Sequence, residues 1–175
     1  MTGLLVGAVF GAVFVVLNAQ SPLNTTTVLL LRAAACLAAA GVVAMWFFTA
    51  REQGQAEGAR PAMFSRGYLV VVAAEALLLF GGIRLLTAWG RPEQTNVAWV
   101  AFVVGVHFIA LAPIWKDRSI AVPGVVLTLL GTAGLVLAST SAVAWVPIIS
   151  GVLSGLVLLT GAVAFGWRTV VARPA

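Results

Sequence analysis

The chain has 175 residues, 62% of them hydrophobic and 9% charged, with a mean hydropathy of +1.10. A soluble domain is about half apolar and about a quarter charged, so a soluble globular enzyme, a disordered chain and a coiled coil are excluded. The composition calls for an all-α, polytopic membrane bundle. The net charge of +5 does not indicate nucleic acid, because the basic residues flank apolar runs instead of forming a patch or stripe.

A helix needs about 20 apolar residues to cross about 30 Å of hydrocarbon. Six segments qualify as transmembrane helices of a single domain over residues 1–175: 2–19, 26–49, 66–89, 97–115, 120–139 and 144–167. The first is the shortest and richest in glycine. It lacks a basic n-region and a small-residue cleavage site, so it reads as a helix and not as a cleaved leader. Asn18 to Thr25 has a turn composition around Ser21-Pro22, and Arg51 to Pro61 is the one hydrophilic loop. Gly90-Arg91-Pro92-Glu93 ends the third helix, Lys116-Asp117-Arg118 separates the fourth from the fifth, and Ser139-Thr140-Ser141 separates the last two. Connections this short make consecutive helices antiparallel neighbours.

Six spans put both termini on one side. That side holds Arg51, Arg60, Arg66, Lys116, Arg118, Arg168 and Arg173, and the other holds Arg91. The excess of basic residues places both termini in the cytoplasm and the protein in the cell (plasma) membrane, as a multi-pass inner-membrane chain. The tryptophans fit the same arrangement. Trp89, Trp99 and Trp145 fall at the outer ends, and Trp46, Trp115 and Trp167 at the inner ends, as an aromatic belt requires.

Gly3, Gly7 and Gly11 form two GxxxG steps on one face of the first helix, and Gly151 and Gly155 another on the sixth. Small faces permit close helix approach in lipid. They read either as a homodimer face or, more simply, as packing within the bundle.

Function is sought at ionisable residues within the spans, which are costly there and mark sites by default. Arg32 and Arg84 lie near the outer ends of their helices, within snorkelling reach of the interface. Glu75 lies about 15 Å from the inner end of the third helix, too deep for its short side chain to reach water. His107 lies at similar depth on the fourth. If helices 3 and 4 form a hairpin turning at Pro92, opposed residue numbers add to about 185, and Glu75 and His107 are offset by about 4.5 Å. That makes them the candidate catalytic or proton-handling pair. The competing reading is structural: a neutral Glu75 bonded across helices, and a His107 donating to a backbone carbonyl. Arg84 is nine residues from Glu75, half a rotation away on an ideal helix, so both face one cavity only if Gly81-Gly82 distorts the helix.

These residues outline a pocket opening to the outer leaflet. Arg32 and Arg84 are the substrate-binding candidates at its mouth, His107 and Glu75 lie below, and Phe80, Phe102 and Phe108 form its walls. It suits an amphipathic ligand with an anionic head. No cofactor or metal is expected. Cys36 and His107 are the only cysteine and histidine, and no aspartate-rich diphosphate motif, P-loop, dinucleotide fingerprint, GxSxG or HExxH occurs. Ser150 and Ser154 have no base paired with them in sequence.

The stretch Gly105-Val106-His107-Phe108-Ile109-Ala110-Leu111-Ala112 resembles a Gly-x-His-Phe-x-x-Leu-Ala pattern of small uncharacterised bacterial multi-spanning membrane proteins. The resemblance covers little more than a tenth of the chain and brings no activity with it. In architecture alone, the chain is similar to integral-membrane terpene cyclases, small helical bundles that use buried carboxyls as acids.

The sequence therefore leads to a membrane protein that binds a lipid-like, isoprenoid-class small molecule among the membrane lipids. Glu75 would be the proton donor in metal-independent cyclase or isomerase chemistry. The alternatives are a proton-coupled carrier, homodimeric through the Gly3, Gly7, Gly11 or Gly151, Gly155 faces, and an accessory membrane subunit without chemistry.

Overall fold

The computed structural model describes residues 2–53 and 66–171. They are all-helical, with no strand among them. The helices are α1 (Thr2–Asn18), α2 (Thr25–Gln53), α3 (Arg66–Ala88), α4 (Gln94–Trp115), α5 (Ala121–Leu137) and α6 (Leu153–Val171). A single 3₁₀ turn, Arg118–Ile120, leads into α5. The approach to α6 has two parts: a 3₁₀ turn, Val143–Trp145, and a wide π-type stretch, Pro147–Val152. Five helical segments are long and apolar enough to cross a membrane, whereas Gly3–Asn18 is a shorter apolar helix. The hydrophilic loop expected from Arg51 is helical as far as Gln53. The rest of that loop, with Arg60, and the C-terminal Arg173 lie outside the described residues.

Local chemistry sets the helix ends. Asn24 accepts the Thr27 N–H through Oδ1 at 2.8 Å and so caps α2. α3 ends in a Schellman turn: Gly90 takes a positive φ of 62°, its N–H reaches Thr87 O, and the Arg91 N–H reaches Leu86 O. Pro92 then prevents continuation. α4 ends the same way, with Lys116 in the left-handed position that glycine usually fills.

The helices pack as two groups. α1, α2 and α6 form one, around Ala8, Val15, Ala35, Val42, Val152 and Leu159. α4 and α5 form the tightest pair of the other, with α3 against the outside of α4. The π-type stretch joins the groups, touching α1, α4 and α5. Its Ser150 is fully buried and donates to Leu130 O of α5 at 2.9 Å, while the adjacent Gly151 lies against Asn18 of α1.

Glycines make these contacts close. Gly11 and Gly155 face one another across α1 and α6, and a Cβ on either would meet the other's carbonyl oxygen. Gly105 of α4 lies on Gly124 and Thr128 of α5, and Gly131 of α5 on the backbone of Phe102. Gly11, Gly151 and Gly155 are thus engaged within the chain, while a Cβ on Gly3 or Gly7 would meet nothing within 4 Å.

α3 is the peripheral helix. It has no buried residue, and its extensive contacts are with α4 alone.

Candidate functional site

Three of the cross-helix contacts among the described residues line up along the α3–α4 hairpin. Tyr68 stacks on Trp115, with centroids 5.9 Å apart and planes 20° from parallel. Glu75 Oε2 lies 2.9 Å from His107 Nδ1. Trp99 Nε1 donates to Leu78 O at 2.9 Å, and its indole covers Gly82 so closely that no Cβ would fit there. Tyr68, Glu75 and Gly82 are spaced by seven residues, two helical turns, and therefore share one face of α3. Trp115, His107 and Trp99 are spaced by eight on α4 and descend to meet them. The hairpin register expected from the turn at Pro92 thus brings the two candidate proton-handling residues into contact.

The side chains of Glu75 and His107 are 21% and 13% exposed. Their separation is of hydrogen-bond length, yet Nδ1 is buried without an aligned hydrogen-bond partner. The carboxylate oxygen lies off the N–H direction. The contact is therefore a close acid–base pair in which the buried Nδ1 makes no aligned hydrogen bond. Phe108 sits edge-on to the imidazole, with centroids 5.9 Å apart.

The pair forms part of the lining of a shallow groove of about 110 Å³ between α3 and α4. Its other lining residues are Val71, Ala74, Leu78, Val103, Val106 and Ala110. Leu78 and Val106 are 48% and 39% exposed, so the groove opens sideways from the hairpin. The Tyr68–Trp115 stack lies beyond one end of the groove and Trp99 beyond the other.

The remaining candidates do not converge here. Arg32 extends to the α1–α2 turn, where Nη2 donates to Ala19 O at 2.9 Å. A cation there complements the negative end of α1, and the residue belongs to the group of helices that excludes α3. Arg84 is exposed, on the face of α3 away from Glu75. α3 passes through Gly81-Gly82 as an unbroken helix, so no distortion turns Arg84 inward. Phe80 is 75% exposed, and Phe102 stacks on Trp99, centroid to centroid 5.8 Å; neither lines the groove. The groove is therefore walled by aliphatic side chains and opens on the flank of the hairpin, in place of the expected aromatic pocket under two arginines.

Sequence reasoning missed Gly82 as the seat of Trp99, which it placed in the interfacial belt. The available signal was the same register: Gly82 and Trp99 face each other as Glu75 and His107 do. It also missed the cap on the basic turn, where Asp117 Oδ1 accepts from the Ser119 N–H at 2.9 Å and from its hydroxyl at 2.6 Å. These bonds hold the Asp117 carboxyl below its ordinary value, the hydroxyl contributing most. Among the described residues, no group of three His, Cys, Asp or Glu side chains could hold a metal ion. Ser154 is fully buried with an unpartnered hydroxyl.

Comparison with family models, with curated proteins and with solved structures gives no match to this chain.

Proposed function

We propose that this chain is a six-span protein of the cell membrane, with both termini cytoplasmic, that binds a lipid-like molecule sideways in the α3–α4 groove. Glu75 and His107 exchange a proton with that molecule. The observation that carries the reading is the 2.9 Å contact between a carboxyl and an imidazole in an apolar groove. In the proposed topology this lies about nine residues, roughly 13.5 Å, from the inner end of α3. Ionisable groups at such depth usually mark a site or a proton path.

The chemistry follows from the pair. A protonated Glu75 can pass its proton to a ligand oxygen or carbon beside it, and the neighbouring imidazole can take a proton back. Aliphatic walls keep water from competing for it. This is the equipment of a metal-independent isomerase or cyclase for a lipid-like substrate, with Glu75 as the acid and His107 as the group that resets it.

Native mass spectra of the protein released from mild detergent test the binding step. A discrete co-purifying mass is expected in the wild type and is lost in Ala74→Trp, which fills the groove. Bare protein in both, at equal thermal stability, rejects the reading. Glu75→Gln is expected to keep the bound mass and to abolish solvent-deuterium incorporation into it.

A second reading has one observation in its favour. α3 lacks any buried residue and packs extensively on α4 alone, as expected of a helix that meets another protein within the membrane. An accessory subunit would assemble with its partner unchanged after Glu75→Gln and would fail after bulky substitutions at Leu77 or Phe80, which are 76% and 75% exposed.

A further inference from the structure

α3 buries no residue and rests extensively on α4 alone, so its attachment is confined to one seam. Two contacts along that seam, the Tyr68–Trp115 stack and the Trp99 indole over Gly82, are uncharged. The third sets Glu75 Oε2 2.9 Å from His107 Nδ1, and its strength depends on protons. The side chains around it, Val71, Ala74, Leu78, Val103, Val106 and Ala110, are all aliphatic. No other ionisable group among the described side chains faces the pair. On α3, Arg66 and Arg84 are each nine residues from Glu75, on the opposite side of the helix. Tyr68 is two turns away, against Trp115. α4 holds no ionisable residue besides His107: Arg91 and Glu93 precede it, and Lys116, Asp117 and Arg118 follow, the nearest being nine residues from His107. α5, Val143–Trp145 and Pro147–Val152, which also pack on α4, carry none. Arg32, bonded to Ala19 O, and Arg168, over the Phe165 ring, belong to α2 and α6, which pack in the other helix group.

We infer that Glu75 and His107 form a proton-operated latch that holds α3 on α4 while the pair carries one proton, and that either loss of that proton or gain of a second releases the seam. The inference needs no ligand in the groove and is independent of the proposed chemistry. With one proton the pair has no net charge, whichever group holds it. Removing the proton leaves a carboxylate, and adding a second leaves an imidazolium beside a neutral carboxyl. Either charge then stands unmatched among aliphatic side chains, which is costly. The geometry sharpens this dependence, because Nδ1 has no aligned hydrogen bond. Attraction between opposite charges survives misalignment, whereas a hydrogen bond that could hold a singly charged pair weakens as its angle closes. Opening the seam admits water or a lipid head group to the charge. α3 can yield in this way without disturbing the rest, because α1, α2, α4, α5 and α6 contact one another without it. The two arms of the response come from different residues: the imidazole sets the acid arm and the carboxyl the alkaline arm.

The test uses the full chain in phosphatidylcholine nanodiscs, in a Cys36→Ser background, with spin labels on exposed positions. One pair, Leu77→Cys with Leu129→Cys, reports α3 against α5, and a reference pair, Leu30→Cys with Leu129→Cys, reports α2 against α5. Distances are read by double electron–electron resonance on samples frozen between about pH 4 and about pH 9, below the range of ordinary phenols. With Glu75 and His107 intact, the α3 distance is expected to be short and narrow at intermediate pH. It lengthens at both extremes by about half a helix diameter, roughly 5 Å, while the reference distance stays constant. Glu75→Gln leaves only the imidazole to titrate, so opening is expected on the acid side alone. His107→Gln leaves only the carboxyl, so opening is expected on the alkaline side alone. The double variant Glu75→Gln/His107→Gln is expected to give one distance throughout. An α3 distance independent of pH with both residues intact overturns the latch, as does a pH response that persists in the double variant. A reference distance that changes in step with α3 shows general loosening of the bundle and overturns it as well.

Discussion

Single residues in this chain carry local electrostatics that can be measured directly. Asp117 accepts two bonds from Ser119, and its carboxyl titrates below the ordinary carboxylate range because of them. A carboxyl with a depressed folded value favours the folded state above its unfolded pKa, and that contribution disappears as pH falls through the folded value. Ser119→Ala is expected to move the Asp117 titration, followed by carboxyl carbon NMR, up toward the ordinary value; an unmoved titration would remove Ser119 as the cause. One residue earlier, Lys116 closes α4 with φ at 55°, a conformation that costs a residue with a Cβ about 1–2 kcal/mol. Lys116→Gly is expected to raise stability by up to about 1 kcal/mol, read from thermal or denaturant unfolding in detergent.

At the scale of helices, the glycines separate into those that support a contact and those that do not. A Cβ on Gly131 would strike the backbone of Phe102, which no side-chain rotation can relieve. Gly131→Ala is expected to cost about 1–3 kcal/mol. A Cβ on Gly161 would meet nothing within 4 Å, and Gly161→Ala is expected to stabilise by about 0.5–1 kcal/mol through helix propensity alone. Equal effects of the two substitutions on the unfolding midpoint would contradict the packing described. Helix limits were largely legible in the sequence, because turn residues such as Gly90-Arg91-Pro92 and Lys116-Asp117 interrupt strongly apolar runs. The Glu75–His107 contact was legible too, since a short turn fixes the depth at which two antiparallel helices meet. Facing was harder. The rotation of α2 that sends Arg32 to Ala19 depends on how α2 rests on α1 and α6, and apolar residues surround it on nearly every side, so sequence periodicity gives no direction. The same uniformity hid which glycines were structural. Gly124 and Gly131 did not stand out, although they support the tightest helix pair.

For the whole molecule, the two helix groups and their shared segment give a connectivity that labelling can check. In a Cys36→Ser background, single cysteines at Gly3, Gln20 and Ser119 are expected to react with a membrane-impermeant maleimide from the cytoplasmic, outer and cytoplasmic sides respectively. Gly3 and Gln20 reacting from one side would mean that α1, the shortest helix, does not cross, and would reduce the proposed topology to five spans. The cationic residues follow this axis. Arg66 and Lys116 lie at one end of the α3–α4 hairpin and Arg91 at the other, while the acid–base pair occupies the middle with aliphatic side chains around it.

The wide stretch from Pro147 to Val152 has a consequence for how the sequence can vary. A π-type turn holds about one residue more than an ordinary turn, so it is a phase shift of about 100° within one helix. Ser150 can thereby point at α5 while the next residues, Gly151 and Gly155, present a flat surface to α1. A deletion of a single residue between 147 and 152 would restore regular winding and bring the two faces back into phase. One of the two helix groups would then lose its seat on the sixth helix, so the length of this short seam is as constrained as its buried side chains.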